Sequence, residues 1–116
     1  MTDRPLTAYK VLTETELGEL EGGSFAGSAV DRADGFIHLS TAAQLAGTID
    51  KHFARATGLC LAAVDLAALG ESVRWEVSRG GDSFPHIYGA LTLDAVIAYG
   101  PLERDAEGAI RLPIAG

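Results

Sequence analysis

The octapeptide Asp34-Gly35-Phe36-Ile37-His38-Leu39-Ser40-Thr41, DGFIHLST, decides how the chain is parsed. An apolar run carries an imidazole at its centre and two hydroxyls at its exit. In extended backbone successive side chains alternate between faces, so Ile37 and Leu39 share one face and Phe36, His38 and Ser40 the other. With Ile37 and Leu39 turned to the core, His38 and Ser40 project together. Thr41-Ala42-Ala43-Gln44 has the spacing of a capping box, so a helix starts where the strand ends. The stretch reads as a buried strand, Gly35–Leu39, feeding the main helix, with His38 beside that helix's first turn.

Downstream, Ala42, Leu45, Ala46, Ile49, Phe53 and Ala56 form one helical stripe that stops before Gly58. Leu59–Val64 is continuously apolar, the pattern of a central strand covered on both faces. Val73–Arg79 alternates, with Val73, Trp75 and Val77 against Arg74, Glu76 and Ser78, which predicts a half-buried antiparallel strand. Gly80–Ser83 is a loop, His86–Tyr88 a short extended segment, and Leu93–Tyr99 a strand closed by Gly100-Pro101. Ala109–Leu112 suits an edge strand. Upstream, Ala8–Leu12 reads as the first strand and Thr13-Glu14-Thr15-Glu16 as the capping box of a short helix ending at Gly22-Gly23; Ser24–Asp31 reads as irregular. Two early helices and about six strands, without regular βαβ alternation, predict an α+β fold. Residues 1–116 form a single domain with two small, twisted, mainly antiparallel sheets.

The chain has 116 residues, 47% of them hydrophobic and 22% charged, which suits one ordered core. No run of eighteen apolar residues occurs and residues 1–30 lack a signal-peptide pattern, so a cytoplasmic location and no membrane partner are expected. Cys60, inside the Leu59–Val64 run, reads as a small buried hydrophobe. The net charge of −7 argues against general nucleic-acid binding, which rewards basic surfaces. A small anionic ligand in a local pocket stays compatible with it.

Two clusters carry candidate chemistry. His38, Ser40 and Thr41 bring an imidazole and hydroxyls to a donor-rich helix start, a cradle for phosphate or ribose. The structural alternative is a helix cap at Ser40 or Thr41 and one structural hydrogen bond from His38. The second cluster, Trp75–Gly89, surrounds a Gly-Gly turn: Arg79 suits a phosphate, Glu76 a ribose hydroxyl, and His86 and Tyr88 share one face of extended backbone. Its alternative is a hairpin with a solvated polar face and Trp75 in the core. His52 falls on the apolar side of the main helix or at its rim. The spacing His38…His52…His86 matches no compact metal motif, and no metal site is expected. There is no G-x-S-x-G elbow, P-loop or G-x-G-x-x-G.

Taken together, "AYKVL", "DGFIHLSTAAQ", "RWEVSRGGDSFPHIYGAL" and "LDAVIAYGPL" resemble the bacterial family called domain of unknown function 952, over residues 8 to about 102. That family is similar in fold to the ADP-ribosyltransferase-like superfamily, whose members bind NAD between two small antiparallel sheets. Within it, Ile37–Ser40 resembles the "VHLS" strand of the NAD-dependent RNA 2′-phosphotransferases, which places His38, Ser40 and Thr41 on a cofactor-contacting element. The chain departs from the superfamily elsewhere. Tyr9 and Lys10 stand where it places a His or Arg, Asp34 where the phosphotransferases have an Arg, and no carboxylate stands at His86–Tyr88, where a late-strand Glu or Gln is usual. The resemblance implies a pocket for NAD or an ADP-ribose-like nucleotide and, at most, a divergent NAD-dependent ADP-ribosyl- or phospho-transferase. His38 and His86 are then the acid–base candidates and Ser40, Thr41, Arg79, Tyr88 and Glu76 the ligand contacts. A non-catalytic small-molecule sensor, or an interaction module with an apolar patch near Phe84-Pro85, would use the same fold.

Overall fold

The apolar run predicted to be central is central. The computed structural model describes residues 5–113, and of Arg79 the backbone alone. In chain order the elements are β1 (Thr7–Leu12), α1 (Glu14–Glu21), β2 (Ser24–Phe25), α2 (Ala29–Asp34), β3 (Ile37–His38), α3 (Ala42–His52), β4 (Cys60–Asp65), α4 (Leu66–Leu69), β5 (Val73–Val77), β6 (Ser83–Ile87), β7 (Leu91–Thr92), β8 (Val96–Pro101), β9 (Glu103–Arg104) and β10 (Ile110–Arg111). β4 lies between β1 and β8 in one three-stranded sheet, and β6 lies between β3 and β5 in a second. Two ribbons, β2–β7 and β9–β10, complete the set, and every pairing among the described residues is antiparallel. The fold is thus α+β with several small antiparallel sheets, two of them principal.

The period-2 geometry of β4 explains its continuous hydrophobicity. Cys60, Ala62 and Val64 enter the core shared by both three-stranded sheets, with Leu12, Ile37, Leu39 and Ile87. Leu61, with Leu59 just before the strand, packs on the opposite side against Val11, Leu45 and Ile49. Burial on two faces leaves no polar position from Leu59 to Val64. Burial, with the Glu14 and Glu21 carboxylates nearby, pushes the Cys60 thiol up, so it is an inert packing group.

The segment expected to be irregular holds β2 and the helix α2. Ser28 caps α2 by accepting from the Asp31 amide at 3.2 Å, and the Asp31 carboxylate accepts from the Ser28 amide at 2.9 Å. Gly35, left-handed at φ 88°, then ends α2 and delays the next strand, so β3 spans Ile37–His38 only. α3 stops at His52 rather than continuing to Ala56. Its buried residues are Leu45 and Ile49 alone, and after the half-buried Phe53 the residues Ala54, Arg55 and Ala56 are exposed, so little burial rewards a further turn. Leu93–Ala95 forms a 3₁₀ turn ahead of β8, and a helical turn at α4, which the pattern did not signal, follows β4. Val77, expected on the half-buried face, is 74% exposed.

A backbone bridge ties the two principal sheets together. Tyr9 and Ser40 exchange backbone hydrogen bonds of 2.7 and 2.9 Å. This bridge brings β1 alongside the exit of β3 and opens a cleft between them and the end of α3. No helix among the described residues is long and apolar enough to cross a membrane.

Candidate functional site

Antiparallel register makes the site. His38 on β3 is the direct partner of His86 on β6, and Arg74 on β5 is the partner of His86 on its other side. Directly opposed residues share a face, so two imidazoles 48 positions apart in the chain become neighbours, their rings 5.3 Å apart and edge to face. Phe36, on the same face as His38, stacks on His86 at 4.1 Å and touches Tyr88 at 5.3 Å. A cleft of about 610 Å³ lies over this face, walled by Tyr9 and Lys10 of β1, Asp31 and Asp34 of α2, Thr48, Lys51 and His52 of α3, and Phe84 of β6. Its size is that of a small-molecule pocket.

Each imidazole is oriented by a carboxylate. His38 Nδ1 lies 2.6 Å from Asp31 Oδ1, and His38 Nε2 lies 2.9 Å from Asp34 Oδ2. Asp31 is 2% exposed and also accepts from the Lys10 ammonium at 2.9 Å and the His38 amide at 3.1 Å. Lys10 in turn donates to the His38 carbonyl at 3.1 Å. Burial alone would raise the Asp31 carboxyl, but the hydrogen bond from His38 and the Lys10 charge hold it well below the usual carboxylate range. Gly27 makes room for this cluster: at φ 120°, a Cβ there would meet Asp31 Cβ at 2.9 Å.

His86 is held differently. Its Nδ1 lies 2.8 Å from Glu76 Oε1, while Nε2 is buried and has no hydrogen-bond partner among the described residues. A carboxylate only accepts, so Nδ1 carries the proton toward Glu76 and Nε2 presents a bare lone pair in the neutral ring. Glu76 also accepts from the Tyr88 hydroxyl at 2.8 Å and 3.0 Å, and the Arg74 guanidinium lies 4.9 Å above the Tyr88 ring. Hydrogen bonds from His86 and then Tyr88 lower the Glu76 carboxyl, and the bond to Glu76 raises the Tyr88 phenol.

Of the residues singled out from sequence, His38, His86 and Ser40 line the cleft together. The Ser40 hydroxyl lies 2.7 Å from Thr48 Oγ1, and Thr48 donates to the Gln44 carbonyl at 3.2 Å. Thr41 lies outside the cleft wall: its hydroxyl accepts from the Gln44 amide at 3.2 Å, and Gln44 Oε1 accepts from the Thr41 amide at 3.0 Å. The structural alternative, a helix cap, describes Thr41. Glu76 and Tyr88 stand behind His86 and bind each other rather than facing the cleft. The Arg79 side chain lies outside the described residues. Phe84 and Pro85, where an interaction patch was to be sought, are buried. Among the described residues no three His, Cys, Asp or Glu side chains are grouped to hold a metal ion.

Asp31 and Lys10 are the residues that sequence reasoning missed. The signal in the sequence is Ser28-x-x-Asp31, a capping-box spacing like those of Thr13–Glu16 and Thr41–Gln44. From sequence, Asp34 stands out only as the residue in place of the phosphotransferases' Arg. A carboxylate does stand beside His86, supplied by the neighbouring strand rather than by β6 itself.

Comparison with known proteins agrees with this architecture. The crystal structure of protein CC0527 from Caulobacter crescentus superposes with a TM-score of 0.81 at 43% sequence identity, covering 90% of this chain and 93% of that one. The solution structure of the same protein superposes with a TM-score of 0.76 at 43% identity, covering 91% of each chain. No curated protein matches the chain. The model of the family described as protein of unknown function DUF952 matches residues 11–99, and the chain belongs to that family.

Proposed function

We propose that the cleft binds a phosphorylated nucleotide of the NAD or ADP-ribose class, on a fold of the ADP-ribosyltransferase-like kind. The observation that carries this reading is the pair of carboxylate-anchored imidazoles, 5.3 Å apart in one cleft. The two rings have complementary needs. His38 offers a donor at Nε2 to an anionic oxygen, and His86 has a bare acceptor at Nε2 that a ligand hydroxyl or amide would satisfy. A ribose phosphate carries an oxyanion and hydroxyls together. Two principal antiparallel sheets meeting beside a strand-to-helix segment support the superfamily placement.

Where the site is catalytic, the chemistry is proton transfer through His38 and His86. A sensor that binds without turnover is the second reading. It is favoured by Glu76, whose two oxygens are already engaged by His86 and Tyr88 instead of being held ready for a ribose.

Thermal unfolding in the presence of NAD, ADP-ribose, AMP and adenosine tests the reading. At a ligand concentration a hundredfold above Kd, stabilisation is about 2.7 kcal/mol, a shift of several degrees. The phosphorylated ligands should give it, and His38→Gln and His86→Gln should reduce it. No shift with any of them overturns the proposal. Release of nicotinamide from NAD would mark an enzyme; binding without release would mark the sensor.

A further inference from the structure

His38 is clamped between two carboxylates that differ in every respect but charge. Asp31 is 2% exposed and fixed by Lys10, by the Ser28 amide and by the His38 amide. Asp34 is 49% exposed, terminates α2, and among the described residues has no second hydrogen bond besides the 2.9 Å contact to His38 Nε2. A carboxylate at a helix C-terminus opposes the helix dipole, so α2 itself gives Asp34 no reason to stay. Carboxylate oxygens only accept, so each ring nitrogen of His38 is placed to donate, Nδ1 to Asp31 and Nε2 to Asp34. Lys10 balances Asp31, and Asp34 is the carboxylate that faces His38 Nε2 at the cleft wall.

We propose that the Asp34 carboxylate occupies the seat of a ligand oxyanion: an entering phosphate group displaces it and takes the His38 Nε2–H donor. In this role Asp34 sets specificity. An uncharged group cannot compete with a carboxylate for this donor, and a phosphate dianion can. The identification of the phosphate with that of a nucleotide rests on the function proposed above; the oxyanion seat does not.

The test is imidazole ¹⁵N NMR of the full chain, following His38 during titration with inorganic phosphate, AMP and adenosine, in the wild type, Asp34→Ala and Asp34→Asn. Removing an exposed competing charge should lower the phosphate and AMP half-saturation concentrations about fivefold. Adenosine should leave the His38 resonances unmoved. If phosphate and AMP leave His38 unmoved in all three proteins, or saturate no earlier in the variants, the proposal is overturned. Phosphate moving His38 while AMP binds no tighter than phosphate would sink the nucleotide reading and leave the oxyanion seat standing. Nucleotide binding that is indifferent to Asp34 would do the reverse.

Discussion

Asp31 sits where a charge is least tolerable, and its partners make it indispensable. Removing one member of a buried ion pair strands the other, at a cost of about 3–5 kcal/mol. Asp31→Ala and Lys10→Met should each lower stability by that order in urea denaturation. The double variant should recover much of the loss, because no buried charge is then left alone. The Asp31 carboxyl is held below its unfolded value, chiefly by the His38 hydrogen bond and Lys10 acting against burial. Its stabilisation is therefore complete above about pH 4, the ordinary aspartate value, and is lost as pH falls below it. Acid unfolding should accordingly be less steep in the double variant. At the other end of the scale, the Tyr88 phenol should titrate above the usual tyrosine value in ultraviolet absorbance, and Glu76→Gln should return it toward normal. None of this pairing was legible along the chain. From sequence Lys10 is a strand residue and Asp31 the end of an irregular segment, since nothing in a sequence states that two charges 21 positions apart will share a dry site.

At the scale of elements, caps were readable and short elements were not. Thr13–Glu16 and Thr41–Gln44 form the reciprocal capping boxes expected of them. The third box, Ser28–Asp31, is hard to read because α2 has six residues, and its burial inverts the usual pattern: Asp31 is buried and Val30 is 60% exposed. Hydrophobic periodicity has no purchase on such a helix. Thr41 separates capping from binding. Thr41→Ala should cost about 1 kcal/mol of stability while leaving cleft-ligand affinity unchanged, a combination that calorimetry and denaturation measure together. Gly27→Ala, by contrast, strains a left-handed backbone and presses on Asp31. It should destabilise by about 1–3 kcal/mol and weaken binding as well, through displacement of His38.

For the whole molecule, β4 is the common wall of two cores, and its residues should be the least forgiving. Leu61→Ala, at a 1% exposed site facing α3, should lower stability by about 2–5 kcal/mol in chemical denaturation. The sequence by itself determined the α+β class, the buried central strand, the strand-to-helix passage at His38 and two of the three capping boxes. Each is a local property, written in hydrophobic period or in residues three apart. Only the tertiary structure decided that His38 opposes His86, that Lys10 neutralises Asp31, and that Glu76 rather than a β6 residue holds His86. Those pairings depend on strand order and register, which arise when the sheets close on a shared core, and a one-residue slip in register would have put the same imidazole on the opposite face.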